Sequence, residues 1–231
     1  MKQYRARTTY FLTEGKNNAQ ECLRLSFQAA LTSGIHKIVV FTANGEGLEL
    51  ACKKYLTQTQ YRSIRLIGVS FPYGMVPSQA LQIPTEREAL FQQHEIPIIR
   101  GAFPLDELSE PHSKSKNRRV LEFFSGGMFF CLNAAIIACD QGFVGAGEHV
   151  IVMSADTSVL VKASPSSKAL ASLAVREIIC KPLIQDISKG ESLAVEVNVD
   201  ALIRPKRGRT KALPAPAQIE IPDSSGGHES Q

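Results

Sequence analysis

Apolar positions along the chain switch between a helical period and short unbroken runs. Residues 17–33 carry Leu23, Phe27, Ala30 and Leu31 on one face, which predicts a helix stopped by Gly34. Ile38-Val39-Val40-Phe41 is a continuous apolar run, as expected of a strand covered on both faces. The polar, glycine-containing Thr42–Gly47 breaks it, and Leu48, Ala51, Cys52 and Tyr55 then restore a helical face. Residues 65–70 predict a second strand, with Phe71-Pro72-Tyr73-Gly74 as its exit loop, and a third helix opens at Pro84-Thr85-Glu86. Ile96-Pro97-Ile98-Ile99 reads as a third strand, and its proline suits a sheet edge.

Residues 101–118, polar and twice interrupted by proline, read as a surface loop. From Met128 to Cys139 almost every residue is apolar or small. This predicts a helix buried on more than one side, with Gly142 ending it, and leaves room there for a homo-oligomer contact. Strands are expected at 149–153, 159–161 and 175–180. Such β/α alternation argues for an α/β fold with an open, largely parallel sheet and helices on both faces. Past Pro182 the periodicity decays. Residues 1–182 are expected to form the domain, 183–203 an extension with a marginal strand at Leu193–Val199, and 204–231 a disordered tail.

The chain has 231 residues, 44% hydrophobic and 21% charged, which excludes disorder throughout. No apolar run reaches the roughly 18–20 residues that a membrane span needs, so no membrane association is expected. The basic start lacks an apolar stretch of signal-peptide length. Five separated cysteines, with neither CxxC nor Cys/His ligand spacing, predict reduced thiols in a cytoplasmic protein and no metal. Residues 1–181 carry a net charge of +5 and the remainder −1. That excess favours an anionic small molecule but falls short of a nucleic-acid-binding surface. The basic cluster at 204–211 reads either as a solvated linker or as similar to a minor-groove arm.

In open parallel sheets, ligands bind beyond the C-terminal ends of strands where strand order reverses. Two loops qualify if the strand at 38–41 is central and the strand at 149–153 lies beside it: Thr42–Gly47 (with Ala43, Asn44 and Gly45) and Ser154–Thr157. The glycines at 45 and 47 permit a tight turn and expose N–H groups at a helix start, where anions are favoured. The loop is therefore either a phosphate cradle or a plain strand-to-helix turn. Neither a GxGxxG nor a GxxxxGK[ST] motif occurs. Lys16-Asn17 reads either as a helix start capped by Asn17 or as a ligand-binding pair, with Lys16 a mobile cation over the same ligand. Ser125-Gly126-Gly127 offers either a close helix entry or a third wall of the cleft. Asp156 either holds a ligand hydroxyl or caps a turn. Histidines are scattered, and neither a paired-carboxylate nor a nucleophile-elbow pattern appears. Cys131 has apolar neighbours, so it reads as core before nucleophile.

Two stretches, residues 10–51 and 123–182, resemble the pyruvate kinase C-terminal (α/β) domain, most closely its stand-alone archaeal and bacterial relatives. The motifs GKNN (15–18), TANGEG (42–47), FSGG (124–127), DQG (140–142) and ADT (155–157) occur in that order. The resemblance implies a three-layer α/β/α fold whose sheet is mostly parallel with the last strand antiparallel. It implies no transferase site, because in pyruvate kinase the catalytic residues belong to the barrel domain. Some pyruvate kinases bind sugar phosphates at the loop similar to Thr42–Gly47, and the stand-alone relatives look like flavin mononucleotide (FMN) binders without an assigned reaction. Lys16, Asn17, Thr42, Gly45, Ser125, Gly127 and Asp156 match the relatives' motifs. The chain departs from them at Gly47, where relatives have a hydroxyl residue, and at Asn133, where they have an acid. It also departs at Met153-Ser154, in place of a Gly-Thr-rich loop, and at Arg100–Pro104. A non-catalytic protein binding a phosphorylated small molecule is the leading expectation. A ligand-free interaction module is the alternative, followed by a flavin-dependent enzyme using Asp156, Lys16 or Cys131.

Overall fold

In a computed structural model of the chain, which describes residues 6–72, 82–107 and 116–183, strands β2 (Lys37–Phe41) and β5 (His149–Met153) lie side by side at the centre of the sheet. β3 (Arg65–Ser70) and β4 (Ile98–Arg100) extend it on one side. On the other side come β6 (Ser158–Lys162), β7 (Ala174–Pro182) and β1 (Thr9–Phe11), giving the order β1-β7-β6-β5-β2-β3-β4. β2, β3, β4 and β5 are mutually parallel, and β1 is parallel to β7. β4 occupies the edge, in keeping with Pro97 immediately before it. The reversal anticipated for the last strand falls one strand earlier. β6 runs against both β5 and β7, so β7 points with the majority. The cause is local. Only four residues, Ser154–Thr157, join β5 to β6, closed by Ser154 N–H donating to the Thr157 carbonyl (2.8 Å), and so short a link permits only an antiparallel hairpin.

Helices cover both faces. On one lie α1 (Ala19–Ser33), α2 (Glu46–Ala51) with the π-helical turn that continues it, and α3 (Thr85–Gln93). Phe27, Leu48, Tyr55 and Phe91 pack there against Ile38, Val40 and Met153. On the other face lie α4 (Pro104–Glu107), α5 (Lys116–Glu122), α6 (Gly126–Asp140) and α7 (Ala169–Ser172). There Phe129, Ile136 and Ile137 meet Val39, Val152 and Val161. The three-layer α/β/α architecture follows.

Several expectations need correction. Leu31 is 41% exposed, because α1 turns Cys22, Leu23, Ser26, Phe27 and Ala30 inward and leaves position 31 beyond that stripe. The stretch read as a surface loop contains α4 and the start of α5, and Phe103 and Leu105 are buried in the core. The apolar circumference of α6 is used within the chain, since the sheet covers one side and α4 and α5 the other. β1 carried too few residues to register as a strand. All five cysteines are free and buried. Among the described residues no helix is long and apolar enough to cross a membrane, and no three His, Cys, Asp or Glu side chains gather to hold a metal ion. The extension beyond Leu183 and the tail at 204–231 lie outside the described residues.

Candidate functional site

From β2 the chain leads through α2 to β3 on one side, whereas β5 sits on the other side of β2. The loops leaving the C-terminal ends of β2 and β5 therefore diverge and leave a cleft of about 550 Å³ between them. Lys16, Thr42, Ala43, Asn44, Gly47, Gly126, Gly127, Ser154 and Asp156, all singled out from sequence, line it. Asn17, Gly45, Ser125 and Thr157 do not. Asn17 is exposed within the 3₁₀ turn Lys16–Asn18, and the residue directly preceding α1 is Asn18. Gly45 faces away with φ +87°, its α-carbon so close to the Phe91 ring that a β-carbon would lie 3.0 Å from it. Ser125 and Thr157 are buried just behind the cleft wall.

The Thr42–Gly47 loop satisfies itself. Thr42 Oγ1 accepts from Gly45 N–H (3.0 Å), and Asn44 Oδ1 accepts from Glu46 N–H (3.2 Å). Arg87 of α3 braces the loop from outside, donating from Nη1 to the Asn44 carbonyl (2.9 Å) and from Nε to Glu49 (2.5 Å). Two amides that a phosphate cradle would offer are thus already engaged.

The start of α6 differs. Ser125 caps it, its Oγ accepting from Met128 N–H (3.0 Å), and that hydroxyl also contacts Thr157 Oγ1 (2.8 Å). Gly126 and Gly127 N–H, the first two amides of a fifteen-residue helix, meet no acceptor among the described residues. Gly127 lies so close to the β5–β6 turn that a β-carbon would stand 2.3 Å from Ser154 Oγ and 2.5 Å from Thr157 Oγ1. Ser154 is 7% exposed, and its hydroxyl has no hydrogen-bond partner among the described residues. The neighbouring Cys131 thiol donates to the Thr157 carbonyl (3.5 Å) and lies beside Ser154, and burial pushes that thiol far up, which suits core packing and not a nucleophile.

Asp156 works within the wall. Its Oδ2 accepts from Gly15 N–H (2.7 Å) and its Oδ1 from Thr157 Oγ1 (3.0 Å), so it ties the β1–α1 loop to the β5–β6 turn. Glu14, on that loop, lines the cleft with one buried oxygen lacking a partner. Burial, with Asp156 close by, raises its carboxyl above the ordinary range.

Sequence reasoning did not single out the apolar end of the cleft. Phe41, Phe71 and Phe130 line it. Phe41 and Phe130 stack at 4.6 Å between centroids, and Phe71 meets Phe41 edge-on at 5.2 Å. Phe41 closes the strand that leads into the Thr42–Gly47 loop, so its position was the available signal, whereas Phe71 follows β3, whose end carries no site motif. Phe130 was hidden in a helix that reads as core throughout. Asn133 lies elsewhere. Its side chain accepts from Leu105 N–H (3.0 Å) and donates to the Phe129 carbonyl (2.9 Å), so it does not touch the cleft. Compared with protein-family models, the chain matches none.

Proposed function

We propose that the protein binds a phosphorylated small molecule carrying a planar ring, of which FMN is the leading case, in the cleft between the β2 and β5 loops. The observation that carries this reading is the Ser154 hydroxyl, buried without a partner beside the free amides of Gly126 and Gly127. An orphaned buried hydroxyl costs about 1–3 kcal/mol, a penalty that a bound oxygen removes. A long helix start favours negative charge on that oxygen. The phenylalanine wall at the other end suits a ring stacked or edge-on. The volume falls within the usual range for small-molecule sites.

Charge narrows the ligand further. The lining bears Glu14, Glu46 and Asp156 against Lys16 alone. Carboxylates accept from ligand hydroxyls and repel a second phosphate, so a monophosphate ester on a hydroxyl-bearing chain fits better than a bisphosphate. FMN has this layout. Binding without catalysis is the reading, in a reducing cytoplasmic setting consistent with five buried free thiols.

The test is titration of FMN into the full-length protein, read by quenching of flavin fluorescence and by melting temperature, alongside Ser154→Ala. The variant is expected to melt higher than wild type without ligand, since it deletes an unsatisfied hydroxyl, yet to bind FMN about tenfold more weakly. If millimolar FMN and sugar monophosphates neither bind nor shift melting of the wild-type protein, the reading is wrong.

A further inference from the structure

A second concavity, about 740 Å³, opens at the opposite ends of the same strands. Its rim is made by Lys37 and Arg65, the first residues of β2 and β3, by Arg62 just before β3, and by His94 at the end of α3. Register places Lys37 directly beside Arg65 across the parallel pair, and like charges so placed repel. Lys37 is answered, since its Nζ donates to Glu148 (3.0 Å) and to the Phe143 carbonyl (2.9 Å). Arg62 and Arg65 are not. Neither side chain makes an ion pair or hydrogen bond among the described residues, and Glu95 is the single carboxylate in the lining. The two ends of the sheet therefore differ in sign, three carboxylates against one lysine at the first cleft and, with Lys37 paired to Glu148, two unpaired arginines against one carboxylate here.

We propose that this groove is a separate binding site for a small molecule carrying two linked phosphates. Guanidinium groups match phosphate oxygens in pairs, and two unengaged arginines three residues apart offer more donors than one phosphate uses. Lys37 is already paired with Glu148, so the two arginines carry the positive excess of the groove. Ile64, Ile96, Pro97 and Phe143 floor the groove, which leaves apolar surface for whatever the phosphates are attached to. Glu95 limits the site to ligands whose own charge outweighs it, hence the requirement for more than one phosphate.

Isothermal titration calorimetry of the full-length protein with inorganic pyrophosphate and with ADP, at low and at physiological salt, tests the assignment. Both ligands are expected to bind, more weakly at the higher salt. The double variant Arg62→Gln/Arg65→Gln is expected to weaken both by about tenfold or more. Both arginines are exposed, so an unchanged melting temperature will show that the fold is intact. Ser154→Ala, at the other end of the sheet, is expected to leave pyrophosphate binding unchanged even if FMN fails to bind anywhere. Absence of binding by the wild-type protein at millimolar ligand overturns the proposal. So does binding that Ser154→Ala weakens and the arginine variant does not.

Discussion

Among the described residues, Ser154 and Glu14 are the two cleft side chains with a buried oxygen lacking a hydrogen-bond partner, and they differ in what relieves them. A ligand atom relieves the serine, whereas a proton relieves the glutamate. Glu14 has its carboxyl raised by burial and by Asp156, so the folded state holds that proton more tightly than the unfolded chain does. The contribution to stability is therefore favourable as pH falls through the raised value and unfavourable at neutral pH. Glu14→Gln is expected to melt higher than wild type at pH 7, the two converging by about pH 4, where the unfolded glutamate also protonates. Thermal scans across that range check the sign. Gly47 invites a different change. A β-carbon there meets nothing closer than Val40 Cγ1 at 3.8 Å, so Gly47→Ser should leave melting unaltered. Its added hydroxyl, the residue type the resembling proteins carry, should strengthen phosphate-ester binding by about 1 kcal/mol, measurable by the same fluorescence titration.

Between elements, the contact to watch is α3 against the β2–α2 loop. Arg87 joins Glu49 to the Asn44 carbonyl, fixing the loop without entering the cleft. Arg87→Gln is expected to weaken FMN binding several-fold while lowering stability by about 1 kcal/mol, as seen in a denaturant titration beside the ligand titration. The elements that build this part of the molecule were legible in the sequence wherever period and length agreed. β3 and β5 coincide with their expected ranges, and Gly34 closes α1 in the left-handed conformation. Legibility ended where burial depends on distant partners. Phe103 and Leu105 sit in a polar, proline-broken stretch and gain their burial from distant residues, Phe103 from Phe41, Phe71, Phe129 and Phe130, which no local pattern reveals. In the cleft, glycine and hydroxyl positions stood out because helix starts need them. The phenylalanines and Glu14 did not, because only folding brings Phe41, Phe71 and Phe130 from three separate elements onto one wall.

For the molecule as a whole, the free thiols report on global opening. Cys22 and Cys180 approach to 3.4 Å, and Cys22, Cys52 and Cys131 have thiols raised by burial, Cys52 to about 11. Thiolate is scarce and access is blocked, so a thiol-specific disulfide reagent should label the native protein slowly and all five sites at once in denaturant. Cys139, at 9% exposure, should lead any native reaction. Peptide mapping of the labelled sites checks the order. The hairpin between β5 and β6 shapes how a guest enters. A turn clasped by two paired strands cannot swing without tearing the ladder on both sides, so the wall bearing Ser154 is an anvil. The segment around Gly15 leans on that same wall, because Asp156 of the turn accepts from its backbone N–H.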